Sequence, residues 1–427
     1  MKHTRLTAIL LLFAMLLSLA GCADRPASEP TPEPEVPASS DLMAEITPSD
    51  EADAPEIPSD NIGQAGFAVR LLQNSLADGE NTLVSPLSVL SALAMTANGA
   101  KGETLTEMET TLGMSADALN AYFRSLREKL AEDRDGLRFH LANSIWFTDD
   151  ERFAVNPDFL ETNADFYGAG VYRAPFDEGT LREINSWVND NTDGMIPAIH
   201  DEIPDTAVMY LINALAFEGD WVHPYYVYQV FPGEFTREDG EKKTVDLMHA
   251  EEHVYLEDGD AAVGFIKYYQ GRQYAFAALL PKEGTSVADY VNTLDGERLL
   301  RVLASSRIAS VETALPKFEA EYSTELSEVL AAMGMPTAFD RDAADFTGIG
   351  TSAVGNIYVN RVLHKTFIAV DELGTKAGAA TAVEAVAESA MIVERKRVIL
   401  DRPFVYMLID CETNLPFFLG VLADIVE

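Results

Sequence analysis

The groups on this chain that could do covalent, acid–base or metal chemistry are seven histidines, two cysteines and a scatter of serines. His249 and His253 stand four apart with Glu251 and Glu252 between them, and on a helix that spacing would aim two imidazoles at one ion. On a hairpin the same residues are a solvated charged stretch, and His200 and His223 add no ligand at a matching interval. A G-x-S-x-G elbow, an H-E-x-x-H pair, a C-x-x-C pair and a phosphate-cradling glycine loop are all missing from the sequence. Ser85-Pro86-Leu87-Ser88 is the chemistry of a helix start, a serine cap followed by proline at the first helical position. Cys411 lies among apolar residues and reads as a small core side chain. The expectation is a protein that is not an enzyme and takes no metal and no cofactor.

A different kind of chemistry is written between Gly374 and Ala387, in the run GTKAGAATAVEAVA. Its charges, Lys376 and Glu384, with Glu388 just beyond, all fall at even positions. Thr375, Ala377, Ala379, Thr381, Val383, Ala385 and Ala387 fall at odd ones. Because side chains alternate faces along a strand, the segment could enter a sheet with its odd face buried and its charges in water. Alanine is also the best helix former, so composition alone favours a helix. The rest of the chain has to arbitrate.

The elements that would position such a segment are mixed. Helical periodicity appears in NIGQAGFAVRLLQNSLADG, SPLSVLSALAMTANGA, LTEMETTLGM and ALNAYFRSLREKLAED, all in the first third. Strand-like runs follow: FHLANSIWF, VYLEDGDAAVGFIKYY, YAFAALLP, FVYMLID and FFLGVLA, with a helical TLREINSWVNDNTDG among them. Helices early and strands later predict an α+β class. No internal repeat and no second linker is visible, so one large domain over residues 61–427 is expected.

The N-terminus and the charge bound the setting. Lys2 and Arg5 precede an apolar stretch from Leu6 to Leu17, shorter than a membrane span, and LSLAGC closes at Cys22. Residues 1–21 therefore predict an export signal. The LAGC ending resembles a bacterial lipobox, which implies cleavage before Cys22 and acylation of its sulfur. The alternative is an ordinary secretory signal with an incidental cysteine. Residues 22–60, rich in Pro, Glu, Asp, Ser and Ala, predict a disordered acidic tether. No other segment is long and apolar enough to cross a membrane. The net charge of −38 argues against nucleic acid, which needs basic patches, and suits a solvated exported surface.

Six segments, in order, resemble the serpin family over nearly all of residues 61–427. They are NTLVSPLSVLSALAMTANGAKGETLTEM, INSWVNDNTDGMI, YLINALAFEGDWVHPY, ALPKFEAEYSTELSEVLAAMGMPTAFDRDAADFTGI, IYVNRVLHKTFIAVDELGTKAGAATAV and DRPFVYMLIDCETNLPFFLGVL. The resemblance implies three β-sheets, about nine helices and an exposed reactive-centre loop over about residues 372–400. It implies a suicide-substrate inhibitor of serine or cysteine endopeptidases: the protease is acylated by the loop, which then inserts into the central sheet. Strand addition and release of stored strain are the physics of that step. The partner implied is a protease held as a covalent acyl complex by a monomer; the competing expectation is a non-inhibitory binding or chaperone-like lipoprotein.

Residue by residue, Gly374, Thr375, Ala377, Ala379, Ala380 and Thr381 match the hinge of inhibitory members. Lys376 stands where Glu is usual, Leu373 where Glu or Lys is usual, and Gly378 adds flexibility. Ser85, Ser88, Asn213 and His364 match the polar shutter beneath the central sheet, and Trp221 the breach at its top. Glu388 lies fourteen residues beyond Gly374, the spacing the resemblance assigns to the residue before the scissile bond, with Ser389 after it. The run before DRPF is longer than in many relatives, so Met391 and Arg395 stay open as alternatives.

Overall fold

The computed structural model of the chain describes residues 39–46, 61–130, 136–149, 153–198, 209–353, 355–375 and 394–425. The elements begin with β1 Ser40–Asp41, α1 Ile62–Ser75, β2 Thr82–Val84, α2 Pro86–Ala97, α3 Gly102–Leu112 and α4 Ala116–Leu130. Then come β3 Leu137–Thr148, β4 Phe153–Val155, α5 Pro157–Tyr167, β5 Gly170–Ala174, α6 Glu178–Asn191 and β6 Met209–Asp220. Next are β7 Val230–Thr236, β8 Lys242–Asp258, β9 Ala262–Tyr268, β10 Tyr274–Pro281, α7 Val287–Asn292 and α8 Gly296–Ala304. They are followed by β11 Arg307–Pro316, β12 Phe318–Glu325, α9 Ser327–Ala332, β13 Gly350–Ser352, β14 Arg361–Val370 and β15 Gly374–Thr375. The chain closes with β16 Arg395–Ile399, β17 Phe404–Asp410 and β18 Pro416–Leu422. Among the described residues this makes nine α-helices and three sheets, the α+β arrangement expected.

Local chemistry explains the helix that matters most. α2 begins where Ser85 Oγ accepts the Ser88 N–H with Pro86 at the first helical position, and every residue from Pro86 to Ala97 is buried. A helix buried on all sides belongs in the middle of a domain, and α2 packs between the two large sheets' strands β3, β6 and β18.

The central sheet has seven strands in the order β1-β5-β3-β6-β15-β14-β12, and β6 also pairs directly with β14. A nine-stranded sheet runs β16-β11-β8-β9-β10-β17-β18-β2, with β7 paired to the first part of the long strand β8, Lys242–Met248. The third is the β13–β4 pair.

Two expected boundaries move. Composition predicts a tether over all of residues 22–60, but Ser40 and Asp41 pair antiparallel with Arg173 and Tyr172 of β5 and extend the sheet by one short strand. Leu42, Met43 and Ile46 pack on the core, so three apolar side chains in an acidic, Pro-rich stretch suffice to dock it. The loop over about 372–400 is also narrower than expected. Gly374–Thr375 is already strand β15, and Arg395–Ile399 is strand β16, parallel to β11. The residues between, 376–393, lie outside those described.

Candidate functional site

The start of the small-residue run is seated in the central sheet. Thr375 pairs antiparallel with Val370 of β14 and with Gly219 of β6, and Gly374 pairs with Asp220. Lower down, β6 and β14 pair with each other in parallel, from Arg361↔Tyr210 to Thr366↔Leu215. β15 thus sits as a two-residue wedge at the upper end of a closed seam. Gly374 is required there: a Cβ would lie 2.0 Å from the Gly219 carbonyl oxygen. Thr375 is buried on the core side, the face the odd-position pattern predicts.

Trp221, the residue after β6, holds the wedge. Its backbone N–H donates to Leu373 O at 2.8 Å and its indole N–H to Asp371 O at 3.0 Å. Tyr225 N–H donates to Glu372 O at 2.8 Å. The indole stacks on Tyr269 at 4.4 Å between centroids, and the Tyr269 hydroxyl meets Thr375 Oγ1 at 2.5 Å. Asp371 closes the turn by accepting the N–H groups of Leu373 and Gly374 on one carboxylate oxygen. Beneath lies a fully buried Lys267, which donates to Glu252 Oε1 at 2.7 Å and His223 O at 2.9 Å and lies over the Tyr225 ring at 4.2 Å. A buried ammonium needs that full set of partners.

The doorway is acidic. Burial, with the neighbouring carboxylates of Glu218 and Asp371, raises the Asp220 pKa. Glu372 moves the other way: burial alone would raise it, but Lys317, 2.9 Å away, lowers it.

Below the seam lie the residues matched to the shutter. His364 is buried on β14; its Nε2 accepts the Ser85 N–H at 3.0 Å, and its Nδ1 has no partner among the described residues. Burial pushes its pKa down to about 3, so the ring is neutral. Ser85 Oγ donates to Phe417 O at 2.9 Å. Asn213 lies on β6 directly opposite His364 of β14 and Asn143 of β3. Ser88 is buried on the same helix.

Three members of this cluster were missed from sequence. Asn143 Nδ2 donates to Ser91 Oγ at 2.8 Å, and Thr366 Oγ1 donates to Leu83 O at 2.8 Å. Ser91 repeats the three-residue step of Ser85 and Ser88, a signal that was available. Asn143 and Thr366 sit in strands whose partners only the sheet reveals.

Other candidates separate. His249 and His253 lie on strand β8, not on a helix, and His249 stacks on Phe231 at 4.0 Å. No group of metal-binding side chains occurs among the described residues. Cys411 is half-buried rather than core, and burial together with Asp410 pushes its thiol up to about 12, which keeps it protonated and unreactive. Arg395 is exposed and opens strand β16, paired with Ser310. Ala377, Ala379, Ala380, Thr381, Glu388, Ser389, Met391 and Cys22 lie outside the described residues.

A two-residue strand wedged at the head of a seven-stranded mixed sheet, a tryptophan clamp above it and a buried polar cluster below define the class of fold to which the chain is to be compared. Residues 63–425 match the family described as Serpin (serine protease inhibitor), and the chain belongs to that family. It is 29% identical over 360 residues to the leukocyte elastase inhibitor of Bos taurus, covering 81% of this chain and 93% of that one. It is 30% identical over 354 residues to human Serpin B8, covering 80% and 92%. Among solved structures it resembles the thermophilic serpin tengpin in its native state, with TM-score 0.84, 42% identity and coverage of 91% and 100%. Against tengpin in its latent state the TM-score is 0.77, at 88% and 100% coverage.

Proposed function

We propose that this chain is a suicide-substrate inhibitor of serine endopeptidases, with cysteine endopeptidases reachable by the same acyl chemistry. The observation that carries this reading is the register of β15. Extending that antiparallel register downward would set Ala377 between Phe217 and Ile368, Ala379 between Leu215 and Thr366, and Thr381 between Asn213 and His364. Phe217, Leu215, Ile368 and Thr366 are all buried, so only small uncharged side chains fit the descending face. Every odd residue of the run meets that condition.

The chemistry balances simply. The protease nucleophile adds to the carbonyl carbon of the bait residue, and the amide nitrogen of the next residue leaves with a proton. An acyl-enzyme remains on the shortened loop. Insertion then gives the loop backbone ladder hydrogen bonds on both sides. In the same register Glu388 falls four residues past the last β6–β14 pair, Arg361↔Tyr210, and Met391 seven past it. An acyl bond at either place would be carried beyond the lower end of the seam, which is what deforming the protease against the far end of the domain requires. Arg395 is held in the β16–β11 ladder, which favours Glu388 or Met391 as the bait.

The test is incubation of residues 39–427 with a panel of proteases that includes glutamyl, chymotrypsin-like and trypsin-like enzymes. An SDS-stable adduct and release of a C-terminal peptide beginning at Ser389 or Ile392 are expected. Cleavage without adduct, and without a rise in thermal stability, would favour the binding-protein alternative. The same reading places the chain outside the cell, tethered through an acylated Cys22 by burial of its acyl chains. Cys22→Ser should move it from the detergent phase to the aqueous phase; partition that does not change would refute the anchor.

A further inference from the structure

Six large apolar side chains are exposed among the described residues, and four of them, Tyr226, Val227, Tyr228 and Phe231, fall within one six-residue stretch. Val227 is 90% exposed and Tyr228 77%. This display is built rather than frayed. Residues 227–229 form a tight 3-10 turn in which Gln229 accepts the Tyr226 N–H at 2.9 Å and donates to His249 O at 3.0 Å. The rings of Tyr226 and Tyr228 lie parallel with centroids 5.4 Å apart, and Phe231 is braced against His249. Tyr228 and Phe231 line an open groove of about 510 Å³ together with Arg395 and Lys396 of β16 and the carboxylates Glu251 and Glu312. Scattered exposed apolar residues need no explanation, but a contiguous rigid patch beside a binding segment marks an interaction surface.

We propose that this shelf is a second contact site for the target protease, receiving the rim of its substrate cleft on the side that holds residues after the scissile bond. This rests on the bait reading above. Chain length puts the occupant there. Met391 is four residues from Arg395 and Glu388 seven, so an attacked bond lies within roughly 14 to 25 Å of the groove even with the chain fully extended. A protease domain of about 220 residues has a radius of gyration of about 17 Å. A protease seated on the bait is therefore close enough to reach the shelf. The chemistry it would match is an apolar side chain against Val227 and Tyr228, bordered by a mixed-charge rim in which Arg395 and Lys396 stand with Glu251 and Glu312. Rigid tyrosines of this kind lose little entropy on contact, which is why they concentrate binding energy.

The test compares the wild-type chain with Val227→Ser/Tyr228→Ser, a pair so exposed that folding should be untouched. For each protease of the panel that forms the adduct, the second-order rate of adduct formation is measured along with the fraction of inhibitor that is merely cleaved. The expected result is a rate about tenfold lower for at least one protease, undiminished by high salt, with the cleaved fraction and Tm unchanged. Equal rates for every adduct-forming protease overturn the shelf while leaving the bait reading intact. Absence of any adduct from the wild-type chain overturns both. A variant that differs from wild type only in losing self-association would assign the shelf to a second copy of this chain, which also overturns the proposal.

Discussion

The side-chain oxygens of Tyr269 and Thr375 lie 2.5 Å apart at the top of the central sheet, with both residues fully buried. It joins the start of the small-residue run to the aromatic stack under Trp221.

Removing one partner of a buried hydrogen bond costs more than removing both. Tyr269→Phe should destabilise the seated hinge by about 1–3 kcal/mol and speed amide exchange at Gly374 and Thr375. Adding Thr375→Val should recover most of that loss. A double-mutant cycle with no coupling between the two positions would show that the contact does not hold the wedge.

Parity along the loop makes a sharper demand. Ala377→Glu or Ala379→Glu would place a carboxylate against buried apolar side chains, costing several kcal/mol on insertion. Each should turn the chain from a trap into a substrate that is cleaved with little adduct. Lys376→Glu lies on the opposite face, and in the β15 register it would meet Glu218 beside Asp220 and Asp371. It should slow insertion modestly and keep the adduct. Equal losses at odd and even positions would refute the register.

Trp221→Phe keeps an aromatic ring against Tyr269, deletes the indole N–H bond to Asp371 O and leaves a small cavity at a buried position. About 1–3 kcal/mol should be lost, with the hydrogen-bond part seen as amide exchange across residues 371–375 that speeds more than elsewhere. Loss spread evenly over the domain would mean the indole acts through packing instead.

His364 sets a pH dependence. Its folded pKa, about 3, lies below the unfolded value of about 6.5, so below that pH the unfolded chain takes up a proton the folded one refuses. Stability is unaffected above pH 6.5 and falls as pH drops from there toward 3, by at most about 1.4 kcal/mol per pH unit from this group. His364→Gln should flatten the slope of the urea midpoint against pH between 6 and 4.5 by about one proton. Parallel slopes would show that His364 is not the titrating group.

How much of this was legible in advance differs by residue. Ser85 and Pro86 announced the start of α2 because capping depends only on neighbours along the chain. The odd-even sorting of the Thr375–Ala387 run needs only the alternation of a strand, and Thr375 is buried on the side that alternation demands. Six ordered segments were enough to resemble the serpin family, and through it the chain's class. Tertiary structure decided what depends on residues far apart in sequence. That Leu42, Met43 and Ile46 dock on the core, that Asn143 and Thr366 complete the shutter, and that β15 is already seated at the head of the seam all follow from strand partners the chain does not print locally. The same holds for the exposed shelf, because Tyr228 and Arg395 are distant in sequence and line one groove only when β7, β8, β11 and β16 share one sheet. Side-chain pattern is local and survives in one dimension; register and neighbourhood are long-range and exist only once the sheets have closed.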